Sequence, residues 1–141
     1  MESVRHADLV GEIVKWIKAR HGANRGLSLV YDSLEAPLGR RPWPVGGFVP
    51  DVIAQTFPSS FFLIGEAKSS ADLSTPHTRH QLEAYIRHLA IRDHAQLVVA
   101  TPLLMVGFAK SLLRQIASKC DATHVQIVFL ADGGEGRVIE C

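Results

Sequence analysis

The chain has 141 residues, 47% hydrophobic and 21% charged, with fifteen Lys and Arg against fourteen Asp and Glu. That length suits one domain, 1–141, with one sizeable core, and the composition excludes disorder and low-complexity architectures. A net charge of +1 excludes a globally basic nucleic-acid binder, so any polyanion has to be met locally.

Residues 4 to 20 set Leu9, Ile13, Trp16 and Ile17 on one stripe and Lys15 and Lys18 largely off it, which predicts an amphipathic first helix. Gly22 and Gly26 punctuate its end, and LSLVYDSL (27 to 34) has strand composition. A Pro/Gly/Arg loop then leads into FVPDVIAQT and, past Phe57-Pro58-Ser59, into SFFLIGEAK, which together predict a hairpin. Ser74-Thr75-Pro76 is a helix-start signal, with Leu82, Tyr85, Ile86 and Leu89 at helical spacing behind it. AQLVVAT (95 to 101) and VQIVFL (125 to 130) are apolar runs suited to strands covered on both faces. Pro102 to Lys119 between them reads as a helix packed through Leu103, Leu104, Phe108, Leu112 and Leu113, and VIEC as an edge strand or tail. The predicted fold is α/β, in the order αβββαβαβ, with a mixed central sheet and helices on its faces.

No apolar run approaches the roughly 18 residues of a membrane span, and MESVRHADLVGE is too polar for a signal peptide, so no membrane partner and a cytoplasmic location are expected. Cys120 and Cys141 lack metal-type spacing. GGEG lacks the lysine and Ser/Thr of a phosphate loop.

The hairpin carries three charges among apolar neighbours. Pairing about a turn between Pro58 and Ser59 sets Asp51 opposite Glu66, with Lys68 on the same face two residues on. Facing carboxylates in a half-buried sheet require a proton or a cation between them, and Mg²⁺ satisfies that need with two carboxylates, water and the Ala67 carbonyl. An ammonium at Lys68 then holds a phosphate or assists the attacking water. Taken alone, the three charges also fit a strand-end salt bridge of Glu66 with Lys68 and a turn at Asp51.

Pro50-Asp51 followed by Glu66-Ala67-Lys68 resembles the PD-(D/E)XK nuclease superfamily, whose restriction-endonuclease-like αβββαβ core is similar to the order predicted over about residues 4 to 101. Gln81-Leu82-Glu83-Ala84-Tyr85 is similar to the Q-h-x-x-Y pattern (h hydrophobic) of its RecB-like members. The resemblance implies a metal-dependent nuclease, by preference a DNA endonuclease in repair, recombination or defence. Mg²⁺ or Mn²⁺ would sit on Asp51, Glu66 and the Ala67 carbonyl, and Lys68 and Gln81 would complete the catalytic set. It also implies a first-helix carboxylate at the metal, for which Glu12 is the candidate and Asp8 a weaker one; pairing of Glu12 with Lys15 or Arg20 is the alternative. Arg40, Arg41, Arg79, Gln81 and Tyr85 are the candidate nucleic-acid contacts, with Trp43 placed to stack a base. Cutting both strands of a duplex would call for a homodimer. The alternative function is a nuclease-fold module that binds nucleic acid or a partner protein without turnover.

Overall fold

The computed structural model describes residues 4–23, 26–32, 41–56, 61–132 and 137–140. The chain runs α1 (Val4–His21), β1 (Leu27–Tyr31), β2 (Val52–Thr56), β3 (Phe61–Ala67), α2 (Ser70–Leu73), α3 (Pro76–Ala90), β4 (His94–Pro102), a 3₁₀ turn (Leu103–Met105), α4 (Val106–Lys119), β5 (Gln126–Asp132) and β6 (Arg137–Glu140). All six strands form one sheet in sequence order. β3–β4 and β4–β5 are parallel, and the other neighbours are antiparallel. This is the mixed α/β core expected from the sequence.

Strand alternation sends the side chains to two helical layers. Val52, Ala54, Leu63, Val98 and Val128 meet the α1 stripe Leu9, Ile13 and Ile17. Ile53, Phe62, Ile64, Leu97, Val99 and Phe129 meet Leu82, Tyr85, Ile86 and Leu89 of α3 and Leu112, Leu113 and Ile116 of α4. Helix α1 sits low on the sheet because Gly65 lies beneath it; a Cβ there would stand 2.8 Å from Ile13 Cγ2 and 3.0 Å from Val52 Cβ. Thr75 caps α3, its hydroxyl accepting from the Thr78 amide at 3.2 Å with Pro76 next in the chain, as the sequence signal requires.

Several boundaries differ from expectation. β2 starts at Val52 rather than Phe48, because Val45 and Phe48 pair with each other in a small turn. Gly46 turns there at a φ of +62°, close against Ala84 of α3. The single-turn helix α2 is too short to leave a periodic signal, and it is held by Ser69, whose hydroxyl accepts from the Asp72 amide at 3.3 Å. Leu112 and Leu113 are buried as expected, but the 3₁₀ turn carries Leu103 and Leu104 off the sheet and Phe108 lies outside the buried face of α4, leaving them 43%, 94% and 46% exposed. The hairpin tip (57–60) and residues 33–40 lie outside the described residues. No helix among the described residues is long and apolar enough to cross a membrane.

Candidate active site

The hairpin register is the one that places the charges together. Val52 pairs with Gly65 and Ile53 with Ile64, so Asp51, one step past the ladder, comes to Glu66. The backbone secures that approach twice: the Asp51 amide donates to Glu66 Oε2 at 3.2 Å, and the Ala67 amide donates to Asp51 Oδ2 at 2.8 Å. On the far side, the Asp51 carbonyl accepts the Asp32 amide at 3.0 Å. Asp51 is thereby fixed between β1 and β3 by three hydrogen bonds, two of them through its main chain.

Glu66 and Lys68 extend on the α3 side of β3, both buried. Lys68 Nζ lies 3.3 Å from Glu66 Oε1 and donates to Gln81 Oε1 at 2.5 Å. The Gln81 amide nitrogen donates to Glu66 Oε1 at 3.0 Å and to Tyr85 Oη at 3.1 Å. Only one orientation of this amide is consistent with its surroundings, because a reversed Gln81 would aim its NH₂ at the ammonium and its oxygen at the carboxylate. Gln81 and Tyr85 lie one turn apart on α3, and the pair locks the Glu66–Lys68 pair into place.

The cluster holds more negative charge than its own cation balances. Burial first, and then the Asp51 carboxylate, push Glu66 up from 4.5 to about 8, although Lys68 and the Asp51 amide act the other way. An unpaired buried ion costs several kcal/mol, comparable with the roughly 5–15 kcal/mol that holds a domain together. Burial and the Asp51 charge therefore favour a proton on Glu66 unless another cation arrives. Burial, followed by the Glu66 charge, raises Tyr85 and keeps its phenol neutral.

Two neighbouring carboxylates are donors suited to a hard divalent ion, and Asp51 Oδ1 lacks a hydrogen-bond partner among the described residues. Thr101 marks the same place from the next strand: continuing the register Glu66↔Val99 and Ala67↔Ala100 puts it beside Lys68, and its buried hydroxyl has no partner among the described residues.

Three expectations change. Glu12 is half-buried beside the α1 stripe, and among the described residues no group of three or more His, Cys, Asp or Glu is arranged to hold a metal, so Glu12 does not join Asp51 and Glu66. The helical residue that does reach the cluster is His6, whose Nε2 stands 3.3 Å from Asp51 Oδ2. Its signal was in the sequence: positions 6, 9, 13 and 17 continue one stripe, and His6 is its polar member. Tyr85 is fully buried, so it holds Gln81 and has no face for nucleic acid. Gln81 is likewise buried and spends its amide inside the cluster.

Arg79 is exposed on α3, and Arg41 is exposed with its Nε 4.0 Å from Asp32 Oδ1. Arg40 lies outside the described residues.

No protein-family model matches the sequence, and no curated protein does. Among solved structures, the fold is similar to that of SfsA from Pyrococcus furiosus, solved in complex with Ca²⁺, with a TM-score of 0.51 at 13% sequence identity. The match covers 94% of this chain and 62% of SfsA, so the chain spans less than two thirds of that protein's length.

Proposed function

We propose that this protein is a metal-dependent nuclease of the PD-(D/E)XK type, using Mg²⁺ or Mn²⁺ to hydrolyse phosphodiester bonds, with DNA the preferred substrate. The observation that supports the reading is the convergence of Asp51, Glu66 and Lys68, where burial first and the Asp51 charge second raise Glu66 to about 8. A structural salt bridge does not need the second carboxylate; a cation site does. That SfsA was solved with Ca²⁺, another hard divalent ion, supports an oxygen-rich cation site on this fold.

Asp51, Glu66 and the Ala67 carbonyl would hold the ion. When bound, it supplies Lewis-acid stabilisation of charge on phosphate oxygens and a lowered pKa for water. Lys68 presents its ammonium to the non-bridging oxygens as the water oxygen bonds phosphorus and the ester P–O bond breaks, the leaving oxygen taking a proton. Gln81 fixes the direction of that ammonium, and Tyr85 fixes Gln81.

The alternative reading, a nuclease fold that binds without turnover, draws on the closure of the network, since Lys68 and Gln81 are already bonded to each other. One experiment tests both: labelled duplex, single-stranded, junction and RNA substrates are incubated with Mg²⁺, Mn²⁺ or EDTA, beside Lys68→Ala and a calorimetric titration of the ion. Metal-dependent cleavage lost in Lys68→Ala is expected. Binding of nucleic acid without uptake of either ion, and without cleavage, would favour the silent module.

A further inference from the structure

We infer that Thr101 is a positioning residue for Lys68: its buried hydroxyl is the anchor on β4 that holds the ammonium while it faces a phosphate. The inference rests on the nuclease reading and adds a residue to which that reading gives no role.

The register brings the two together. In a parallel ladder an amide donates to the carbonyl one residue before its partner, so the Lys68 amide on the Ala100 carbonyl, at 2.9 Å, makes Lys68 and Thr101 partners. Pro102 has no N–H to return to the Lys68 carbonyl, and the ladder between β3 and β4 closes there. Strand period puts Thr101 on the face of Val99, the partner of Glu66, so Glu66 and Lys68 on β3 run alongside Val99 and Thr101 on β4.

Thr101 is 0% exposed, and its hydroxyl has no hydrogen-bond partner among the described residues. Val99, before it on that face, and Ala131, which pairs with it from β5, both belong to the apolar core and offer it none. A buried hydroxyl without a partner is destabilising, and valine would fill the same place in a strand without that penalty. The polar side chain beside it across the ladder is Lys68, itself buried.

An ammonium has three N–H donors. Gln81 Oε1 takes one, and Glu66 Oε1 lies 3.3 Å from the same nitrogen. Cleavage asks more of these groups, because Glu66 is also wanted by the ion and one N–H has to meet a phosphate oxygen. With Glu66 so engaged, the Thr101 hydroxyl supplies the second acceptor that keeps the ammonium directed. Being fully enclosed, Thr101 does not reach substrate and acts only through Lys68.

The test compares two hydroxyls. Thr56 is also buried and without a partner among the described residues, but it pairs with Leu27 at the far end of β2 from Asp51. Thr101→Val should melt a few degrees above wild type in EDTA, because it removes an unmet polar group. In Mn²⁺, with labelled single-stranded and duplex DNA, the same variant should lose about tenfold in kcat, the scale of one hydrogen bond to a charged group. KM and the calorimetric affinity for Mn²⁺ should stay as they are, Thr101→Ser should cut at close to the wild-type rate, and Thr56→Val should leave cleavage unchanged. Added to Lys68→Ala, Thr101→Val should lower the rate no further. Thr101→Val cutting as fast as wild type, melting below it, or slowing Lys68→Ala further would overturn the assignment and leave the nuclease reading standing. So would Thr56→Val slowing cleavage as much. A wild type that cuts none of the labelled substrates would remove the nuclease reading, and this assignment with it.

Discussion

The two ends of the sheet both bury polar side chains, and they solve the problem differently. Where β4 and β5 begin, His21 Nε2 lies 3.3 Å from Gln96 Oε1 and the Gln96 amide donates to Gln126 Oε1 at 2.7 Å. His21 is enclosed by Trp16 and Phe61, with ring centroids 5.8 and 4.9 Å away. Burial holds its pKa below the ordinary imidazole value, so the network is neutral and complete in itself. Where β3 and β4 finish, the hydrogen bonds are as good, but burial first and the Asp51 carboxylate second work against the charged form of Glu66. Good hydrogen bonding alone does not distinguish a structural network from a functional one. A second carboxylate buried against the first does, because its charged form gains from a further cation for which a neutral amide network has no use.

The largest effect expected from breaking this contrast is on cleavage. Lys68→Ala should lower the rate by about a hundredfold or more in a labelled-substrate assay, the scale for losing one charge-stabilising group, while circular dichroism stays native. An equally active variant would remove the assignment.

The next effect concerns pH, and the two ends respond with opposite sign. Glu66 is raised above its unfolded value, so in metal-free protein its contribution is complete below about pH 4 and is lost as pH rises through about 8. His21 is lowered, so its contribution is complete above an unfolded value of about 6.5 and is lost as pH falls through the folded one. Thermal melts of metal-free Glu66→Gln should therefore lose the alkaline decline and keep the acid one, and Mg²⁺ should raise the wild-type midpoint most at alkaline pH. A wild-type midpoint that does not decline between pH 5 and 8.5, or Glu66→Gln melting with the wild-type slope, would show that Glu66 is not held protonated.

A smaller effect separates stability from function. Gln96→Leu removes the donor to Gln126 Oε1, which is exposed and can turn to water, and the His21 contact, so a chemical-denaturation midpoint should reflect a loss of about 1 kcal/mol with metal-dependent cleavage unchanged. Tyr85→Phe is the mildest and the most local: it removes one acceptor at 3.1 Å from Gln81 at a cost of about 1 kcal/mol, and it should slow cleavage several-fold without altering metal affinity by calorimetry.

Much of the site was legible because local rules set it. Strand period and the centring of the Phe57-Pro58-Ser59 turn suffice to bring Asp51 to Glu66, since one slip in register would turn every side chain to the other face. The Gln81–Tyr85 pair followed from helical spacing, but its purpose did not. Spacing says that the two side chains share a face; only the packing of α3 on β3 shows that the face is covered, which makes Tyr85 a strut for Gln81 rather than a surface contact. Glu12 and His6 show the same limit from the other direction, because a few tens of degrees of rotation about α1 decide which polar neighbour of the apolar stripe reaches Asp51.

By itself, then, the sequence determined the order of the longer elements, the hairpin register and the three charges that meet on it, because turn chemistry and side-chain periodicity act within a few residues. Tertiary structure alone decided that Glu66 is buried enough to favour a proton, that Gln81 joins it to Lys68, and that Leu103, Leu104 and Phe108 face outward. Those outcomes depend on the depth of one element against another and on where β4 stops and the chain turns, quantities set by the packed layers together.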